Sequence, residues 1–315
     1  MKLSDQLPAP QAFYLIDASI YIFQSHFSPN VECFSEEGEE LSAVYGFTQF
    51  LFQFLRRVKP ERIGIAMDES LFCGFRHELC AQYKSNRELP DENLAMQLGA
   101  CAEICRILGL AAYSSKKYEA DDIIGTLSSR MVEFSEQDIA VCIVSRDKDL
   151  AQLLKSKNDS LWDYSGNRKR YRADIQNEYG VAPEQFPDYL GLVGDSVDCI
   201  TGVPGVGPVK AKELLKNYHT LEGVYQNLES ISGLSLRGAS RLAAVLEEHH
   251  ELAKLSKTLA TIVCDASDEG EGFTNALPSS LKPYAIDSPS FEEFLFKYKF
   301  TNNDKDYLLS LAKRT

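Results

Sequence analysis

Three short apolar runs in this chain each lead into an aspartate, and that repetition restricts the fold more than any other feature. Residues 12–16 (AFYLI) run into Asp17, residues 62–67 into Asp68, and the run 139–144 (IAVCIV) into Ser145-Arg146-Asp147. Apolar runs this short suit strands buried on both faces. Between the first two lies a stretch from Leu41 to Val58 with apolar residues at 44, 47, 50, 51, 54, 55 and 58, a helical period that Pro60 ends. Strand, acid, helix, strand, acid is the pattern of an open α/β sheet, whose ligands gather at the carboxyl ends of the strands. Aspartates far apart in sequence thereby become neighbours.

The densest knot of acids is Tyr118-Glu119-Ala120-Asp121-Asp122, where a polar loop gives way to a helix-like run from Ile123 to Phe134. A helix dipole favours one or two acids at such a start, not three. Further acids close other apolar runs: Asp147 and Asp149, two apart in one loop, and Asp195 and Asp198 in Gly194-Asp195-Ser196-Val197-Asp198. Two unit charges about 4 Å apart repel by roughly 4 kcal/mol at an effective dielectric near 20. If these segments converge, a cation must sit among them, and oxygen ligands without histidine point to Mg²⁺ or Mn²⁺.

The net charge of −13 argues against a generic basic nucleic-acid coat, although taking the nine acids Asp17, Asp68, Glu119, Asp121, Asp122, Asp147, Asp149, Asp195 and Asp198 out of that count leaves only −4. Residues 1–11 contain no apolar leader and no run approaches a membrane span, so the chain reads as neither secreted nor membrane-bound. The eight cysteines show no CxxC pair, and Cys101 and Cys105 lie one helical turn apart on an apolar face. A reduced, cytoplasmic protein is expected.

Elsewhere, Ile20 to Phe27 reads as core, or as a segment that brings Tyr21, Phe23 or His26 near a ligand, and Glu32 to Glu40 as a solvated acidic loop. Lys84 and Arg87 share a face if helical, which is either solvation or function. Helix is expected over Asn93–Leu108, and strand over 110–113, 138–145 and 161–164. Gly166 to Arg172 (GNRKRYR), the most basic stretch, is either a charged hairpin tip or a nucleic-acid backbone contact. Near 185 the chain turns helical and carries Gly202-Val203-Pro204-Gly205-Val206-Gly207, followed by Lys210 and Lys212. Glycines at that spacing ahead of a helix let backbone approach a phosphate closely. A helical pattern returns over 238–261, an acidic linker spans 265–271, and the tail carries no readable motif.

Taken together, strand-Asp17, strand-Asp68, FRxE-x₄-YKSNR (75–87), YEADD (118–122), SRDKDL (145–150), GD-x₂-D (194–198) and GVPGVG (202–207) stand in one order and spacing. In these the chain resembles the 5′-nucleases: phage and bacterial flap endonucleases and the 5′-3′ exonuclease domain of bacterial DNA polymerase I. The resemblance runs from about 12 to 262. It implies a PIN-like, mainly parallel sheet flanked by helices, a small helical arch near 70–95 and a helix–three-turn–helix duplex-binding module. The expected division is a nuclease domain over 1–185, a duplex-binding region over 186–262 and an extension over 263–315. No polymerase domain is expected.

By resemblance, Lys84 and Arg87 hold the scissile phosphate, and Gly202, Val203, Gly205 and Gly207 bind one strand's phosphates together with a potassium ion. The family usually has Asn-x-Pro-Gly where this chain has Cys199-Ile200-Thr201-Gly202. Tyr83 is expected to stack on an unpaired base. The expected activity is divalent-metal-dependent hydrolysis of DNA with a free or flapped 5′ end by a monomer. Two Mg²⁺ ions, replaceable by Mn²⁺, would be held by Asp17, Asp68, Glu119, Asp121 and Asp122 on one side and Asp147, Asp149, Asp195 and Asp198 on the other. The alternatives are a PIN-type ribonuclease and a non-catalytic DNA-binding protein.

Overall fold

The computed structural model describes residues 12–70, 73–135 and 139–315; residues 1–11, where a leader was sought, lie outside the described residues, as do 71–72 of the expected arch and Asp138. Alternation within the apolar runs assigns each residue to a face. In β1 (Ala12–Asp17), Phe13 and Leu15 serve one core and Ile16 the other. Around it lie β2 (Ile63–Asp68), β3 (Ala111–Ser115), β4 (Ala140–Val144) and β5 (Ser160–Asp163), all parallel, and an antiparallel edge strand β6 (Arg168–Tyr171). The order β3-β2-β1-β4-β5-β6 builds outward from β1 in both directions. The connection therefore reverses between β1 and β4, which opens a crevice at their carboxyl ends.

One face of the sheet is covered by α1 (Ala18–His26) and α2 (Ser42–Val58), and by a long helix, Glu92–Ile107, that follows the short α3 (Phe75–Leu79) and is numbered α4. Cys101 and Cys105 are buried there, and all eight cysteines are free thiols. The opposite face is covered by α5 (Ala120–Glu133). Among the described residues α3 is the only helix between β2 and α4, so the expected arch is short. The segment after α3 lies down on the helical region: Tyr83 joins its core and the Lys84 amide donates to the Asp198 carbonyl at 3.0 Å.

After β6 comes α6 (Arg172–Tyr179), whose Ile175 joins the second core, and then α7 (Phe186–Val193), α8 (Pro208–Tyr218), α9 (Leu221–Gln226), α10 (Ala239–Glu248) and α11 (His250–Ala260) gather around a third core. Between α7 and α8 the chain makes a tight hairpin closed by reciprocal bonds, Asp195 N to Ile200 O at 2.8 Å and Ile200 N to Asp195 O at 2.7 Å. Gly202 sits at φ +66°, and a Cβ there would stand 2.3 Å from the Gly194 nitrogen. Among the described residues no helix is long and apolar enough to cross a membrane.

The extension after 262, silent in the sequence, belongs to the α/β layer. Its helices α12 (Ser288–Lys297) and α13 (Asn302–Ala312) pack on α4 and α2, and Phe291, Phe294, Leu295, Phe300, Leu308 and Leu311 join the first core. Phe300 bridges to Ser35, and the Glu36 amide donates to Lys299 O at 2.8 Å, so the acidic loop before α2 is pinned by the tail. Phe294→Ala is expected to cost about 3–5 kcal/mol of stability, the range for truncating a buried phenylalanine. Urea unfolding at unchanged m-value would show it. A loss under about 1 kcal/mol would mean that the tail docks without supporting the core.

Candidate active site

The carboxyl ends of β1, β2 and β4 and the start of α5 open on one cleft of about 740 Å³, lined by Asp17, Asp68, Asp121 and Asp147 with Lys84, Arg87, Arg146 and Lys148. Asp17 ends β1 and caps α1; its Oδ2 accepts from Ser145 Oγ at 2.8 Å. The same hydroxyl accepts from the Asp147 amide at 3.0 Å, so Ser145 ties the loops after β1 and β4 together. Asp68 Oδ1 accepts from the Ala120 amide at 2.8 Å, which fixes the start of α5 against the end of β2. Burial, then the charges of Asp68 and Asp147, push the Asp17 carboxyl up to about 7. Burial followed by repulsion from Asp147 and Asp17 pushes Asp121 well above the usual carboxylate range.

The acidic knot is split by the structure. Asp122 is fully buried and does not line the cleft. Its Oδ2 accepts from Arg76 Nη1 at 2.6 Å and the Glu119 amide at 3.1 Å, while Oδ1 accepts from Arg76 Nη2 at 2.8 Å and the Val263 amide at 2.9 Å. Every favourable lone pair is used, so Asp122, expected among the metal ligands, is placed away from the cleft as one half of a buried ion pair. Arg76 also donates to the Leu259 and Thr261 carbonyls, which straps α11 to α5. Its place in the FRxE stretch was visible in the sequence, but a lone arginine three residues from a turn gave no sign of a partner so distant.

Glu119 is likewise surrounded by donors: Lys84 Nζ at 2.7 Å, Tyr83 hydroxyl at 2.9 Å and Arg76 Nη1 at 3.1 Å. Burial opposes its charge, yet Lys84 and Arg76 outweigh it and hold the carboxyl below its usual range. The expected stacking role of Tyr83 is corrected as well. The ring is buried, edge-on to His77 at 5.4 Å, and its hydroxyl is spent on Glu119.

Lys84 and Arg87 come to the cleft as expected, but from a turn in which Lys84 has φ +50°. Lys84 Nζ is 3.9 Å from Asp198 Oδ2, and Arg87 Nη2 donates to Asp198 Oδ1 at 2.9 Å. Burial opposes the charge on Lys84, but Glu119, Tyr83 and Asp198 hold the ammonium well above its usual range. Asp149 and Asp195 stand on the other side of Asp147. The Asp149 amide donates to Asp147 Oδ1 at 2.9 Å, and Lys148 Nζ bonds Asp195 Oδ2 and lies 3.3 Å from Asp149 Oδ1. Burial and Asp147 push Asp149 up to about 7 despite Lys148. Asp147 thus joins the two acid groups, a pivot that sequence spacing alone did not reveal. Among the described residues no three His, Cys, Asp or Glu side chains already close on one point.

In the hairpin, Gly205 and Gly207 are exposed and a Cβ at either would meet nothing, whereas Val203 is buried with its amide on Leu192 O at 2.8 Å. Lys210 reaches back to the Gly205 carbonyl at 2.7 Å. Lys212 does not join it: its stem lies along Gly180, at the end of α6.

Residues 12–180 match the 5′-3′ exonuclease N-terminal resolvase-like domain, and residues 181–273 match the 5′-3′ exonuclease C-terminal SAM fold. This chain belongs to the 5′-3′ exonuclease family. The family member is 32% identical over 252 residues to a 5′-3′ exonuclease of Buchnera aphidicola subsp. Acyrthosiphon pisum, covering 80% of this chain and 86% of that protein. To DNA polymerase I of Bacillus subtilis it is 36% identical over 239 residues, 75% of this chain but only 26% of the polymerase. A bacteriophage T5 D15 flap endonuclease, solved with DNA and metal ions, has the same fold with TM-score 0.62, 16% identity and 96% and 99% coverage of the two chains.

Proposed function

We propose that this 5′-3′ exonuclease family member hydrolyses phosphodiester bonds in DNA bearing a free 5′ end or a 5′ flap, acting as a monomer and leaving a 5′-phosphate. The observation that carries the reading is one cleft in which four aspartates from four separate segments face Lys84 and Arg87. The donor set fits divalent cations. Asp17, Asp121 and Asp149 are pushed up by burial and by the charges of neighbouring acids, Asp147 being common to all three, and a cation among them relieves that repulsion.

Asp17, Asp68, Asp121 and Asp147, continued by Asp149, Asp195 and Asp198, would hold two Mg²⁺ or Mn²⁺ ions, with Glu119 turned toward its cations instead. When bound, such ions supply an activated water and stabilise the leaving oxygen. Lys84 and Arg87 would hold the scissile phosphate and stabilise the charge that grows on it. Glu119 and Asp198 keep those two cations aimed at the cleft before substrate arrives, which limits the reorganisation needed during reaction. The Gly202–Gly207 hairpin, with Lys210, would take the phosphates of one duplex strand on exposed backbone. A potassium ion there would have to use hairpin carbonyls other than that of Gly205, which Lys210 already occupies.

The test is a 5′-labelled flap duplex incubated with Mg²⁺, beside a matched RNA. Release of a short labelled product from DNA supports the reading; cleavage of RNA alone, or tight binding with no cleavage in Mg²⁺ or Mn²⁺, overturns it.

The metal reading also sets a pH dependence. A carboxyl raised from about 4 to about 7 binds more protons folded than unfolded between those values. Its contribution to stability therefore falls as pH rises through that window. Mg²⁺ is expected to raise Tm by several degrees at pH 8 and by little at pH 5. Equal shifts at both pH values would contradict it.

A further inference from the structure

One strand further along the carboxyl edge, beyond the acids, the sign of the charge reverses. Arg146 follows β4, is largely exposed, and makes a loose contact to Asp163 Oδ2 at 3.8 Å, at the end of β5. From there the chain turns through 164–167 into β6, which pairs Asp163 with Arg168 and Trp162 with Lys169. The basic stretch therefore sits with its turn at the same end of the sheet as the cleft. Arg57, from the last turn of α2, joins it: Nη2 donates to Asn167 Oδ1 at 2.6 Å, and the guanidinium lies 5.3 Å from the Trp162 ring and 5.1 Å from that of Tyr164. Lys169 Nζ lies 4.4 Å from the Trp162 ring.

Two of these cations, Arg57 and Lys169, lack a carboxylate partner among the described residues, whereas Arg168 is paired with Glu178 at 3.0 Å and Arg172 with Glu184 at 2.7 Å. In a chain of net charge −13, held cations without partners mark a place where an anion docks. Resting on aromatic rings, Arg57 and Lys169 are already ordered, so binding forfeits little side-chain entropy.

Resting on the nuclease reading, we propose that Arg146, Arg57 and Lys169 form a phosphate track along the carboxyl end of β5, positioning the strand that enters or leaves the cleft. The ligand is the phosphodiester backbone, read without regard to base sequence. Arg146 lines the cleft itself and links the track to the reacting centre. The fully paired Arg172 lies outside it.

The test is binding of a labelled 5′-flap duplex in EDTA, by anisotropy across a KCl series, with the intact protein and with R57Q, R146Q, K169Q and the triple variant. Each lost contact is expected to reduce the slope of log K against log salt by about 0.7–0.9, and the triple variant by about 2–3 units. In Mg²⁺, KM should rise about tenfold or more with kcat little changed, which a merely structural role would not produce. R57K, which keeps charge on the rings, should recover the slope that R57Q loses, and R146Q, on an exposed side chain, reports even if R57Q fails to fold. R172Q serves as the comparison and should keep the parental slope. A triple variant with parental slope and KM overturns the track while leaving the nuclease reading intact. An intact protein that binds DNA but never cleaves it, with slopes falling as expected, overturns the nuclease reading and keeps the track.

Discussion

Asp121→Asn is expected to lose about 10³-fold in kcat, the scale of losing one element of the electrostatic stabilisation at a reacting centre, and yet to melt higher than the parent in EDTA. The two effects share one cause. Asp121 sits under burial and the repulsion of Asp147, Asp17 and Asp68, which disfavours its ionised form. An amide of the same shape removes that repulsion, for a gain of about 1 kcal/mol, and with it the charge that cations require. Single-turnover cleavage of a flap duplex at saturating protein reads the first effect, and a melt at pH 8 without metal reads the second. Retained activity would remove Asp121 from the reacting centre. A lower Tm would mean that its contacts in the folded state outweigh the repulsion.

Its neighbour should behave in the opposite way. Asp122→Ala is expected to destabilise the fold by about 3–5 kcal/mol, because it removes the two-point partner of the buried Arg76 guanidinium and leaves it the single carboxylate contact of Glu119. Three elements depend on that pair: α5, which carries Asp122, the segment of α3, and the chain leaving α11, whose Leu259 and Thr261 carbonyls Arg76 also holds. Arg76→Ala should cost a similar amount. The pair Arg76→Met/Asp122→Leu should recover much of the loss, since matched apolar groups need no desolvation of charge. Guanidinium unfolding of the four proteins compares these losses. If Asp122→Ala keeps parental stability and instead abolishes cleavage, Asp122 belongs with the acids of the cleft after all.

These opposed outcomes show where sequence and structure part. The strands and their terminal aspartates were legible because a buried parallel strand is a short apolar run, and the carboxyl ends of such strands lie together in an open α/β sheet. Asp17, Asp68 and Asp147 accordingly come to one cleft from β1, β2 and β4. Within YEADD, adjacency in sequence suggested a shared task. On a helix, however, neighbours point in different directions, and only the three-dimensional position of Arg76 decides that Asp122 turns inward while Asp121 turns to the cleft. An aromatic beside two cations likewise reads as a stacking surface, whereas the Tyr83 hydroxyl is turned inward to Glu119. The tail escaped reading because its apolar residues serve a core supplied by α2 and α4, at the other end of the sequence.

The central claim is that the cleft acids, without Asp122, hold the cations that this family member uses on DNA. The most direct measurement is anomalous diffraction from crystals of the intact protein soaked in Mn²⁺. The account predicts manganese peaks in the cleft bounded by Asp17, Asp68, Asp121 and Asp147, with Asp122 still clasped by Arg76. A peak on Asp122 with the Arg76 pair broken, or a cleft without manganese in a preparation that cleaves flap DNA, would contradict it.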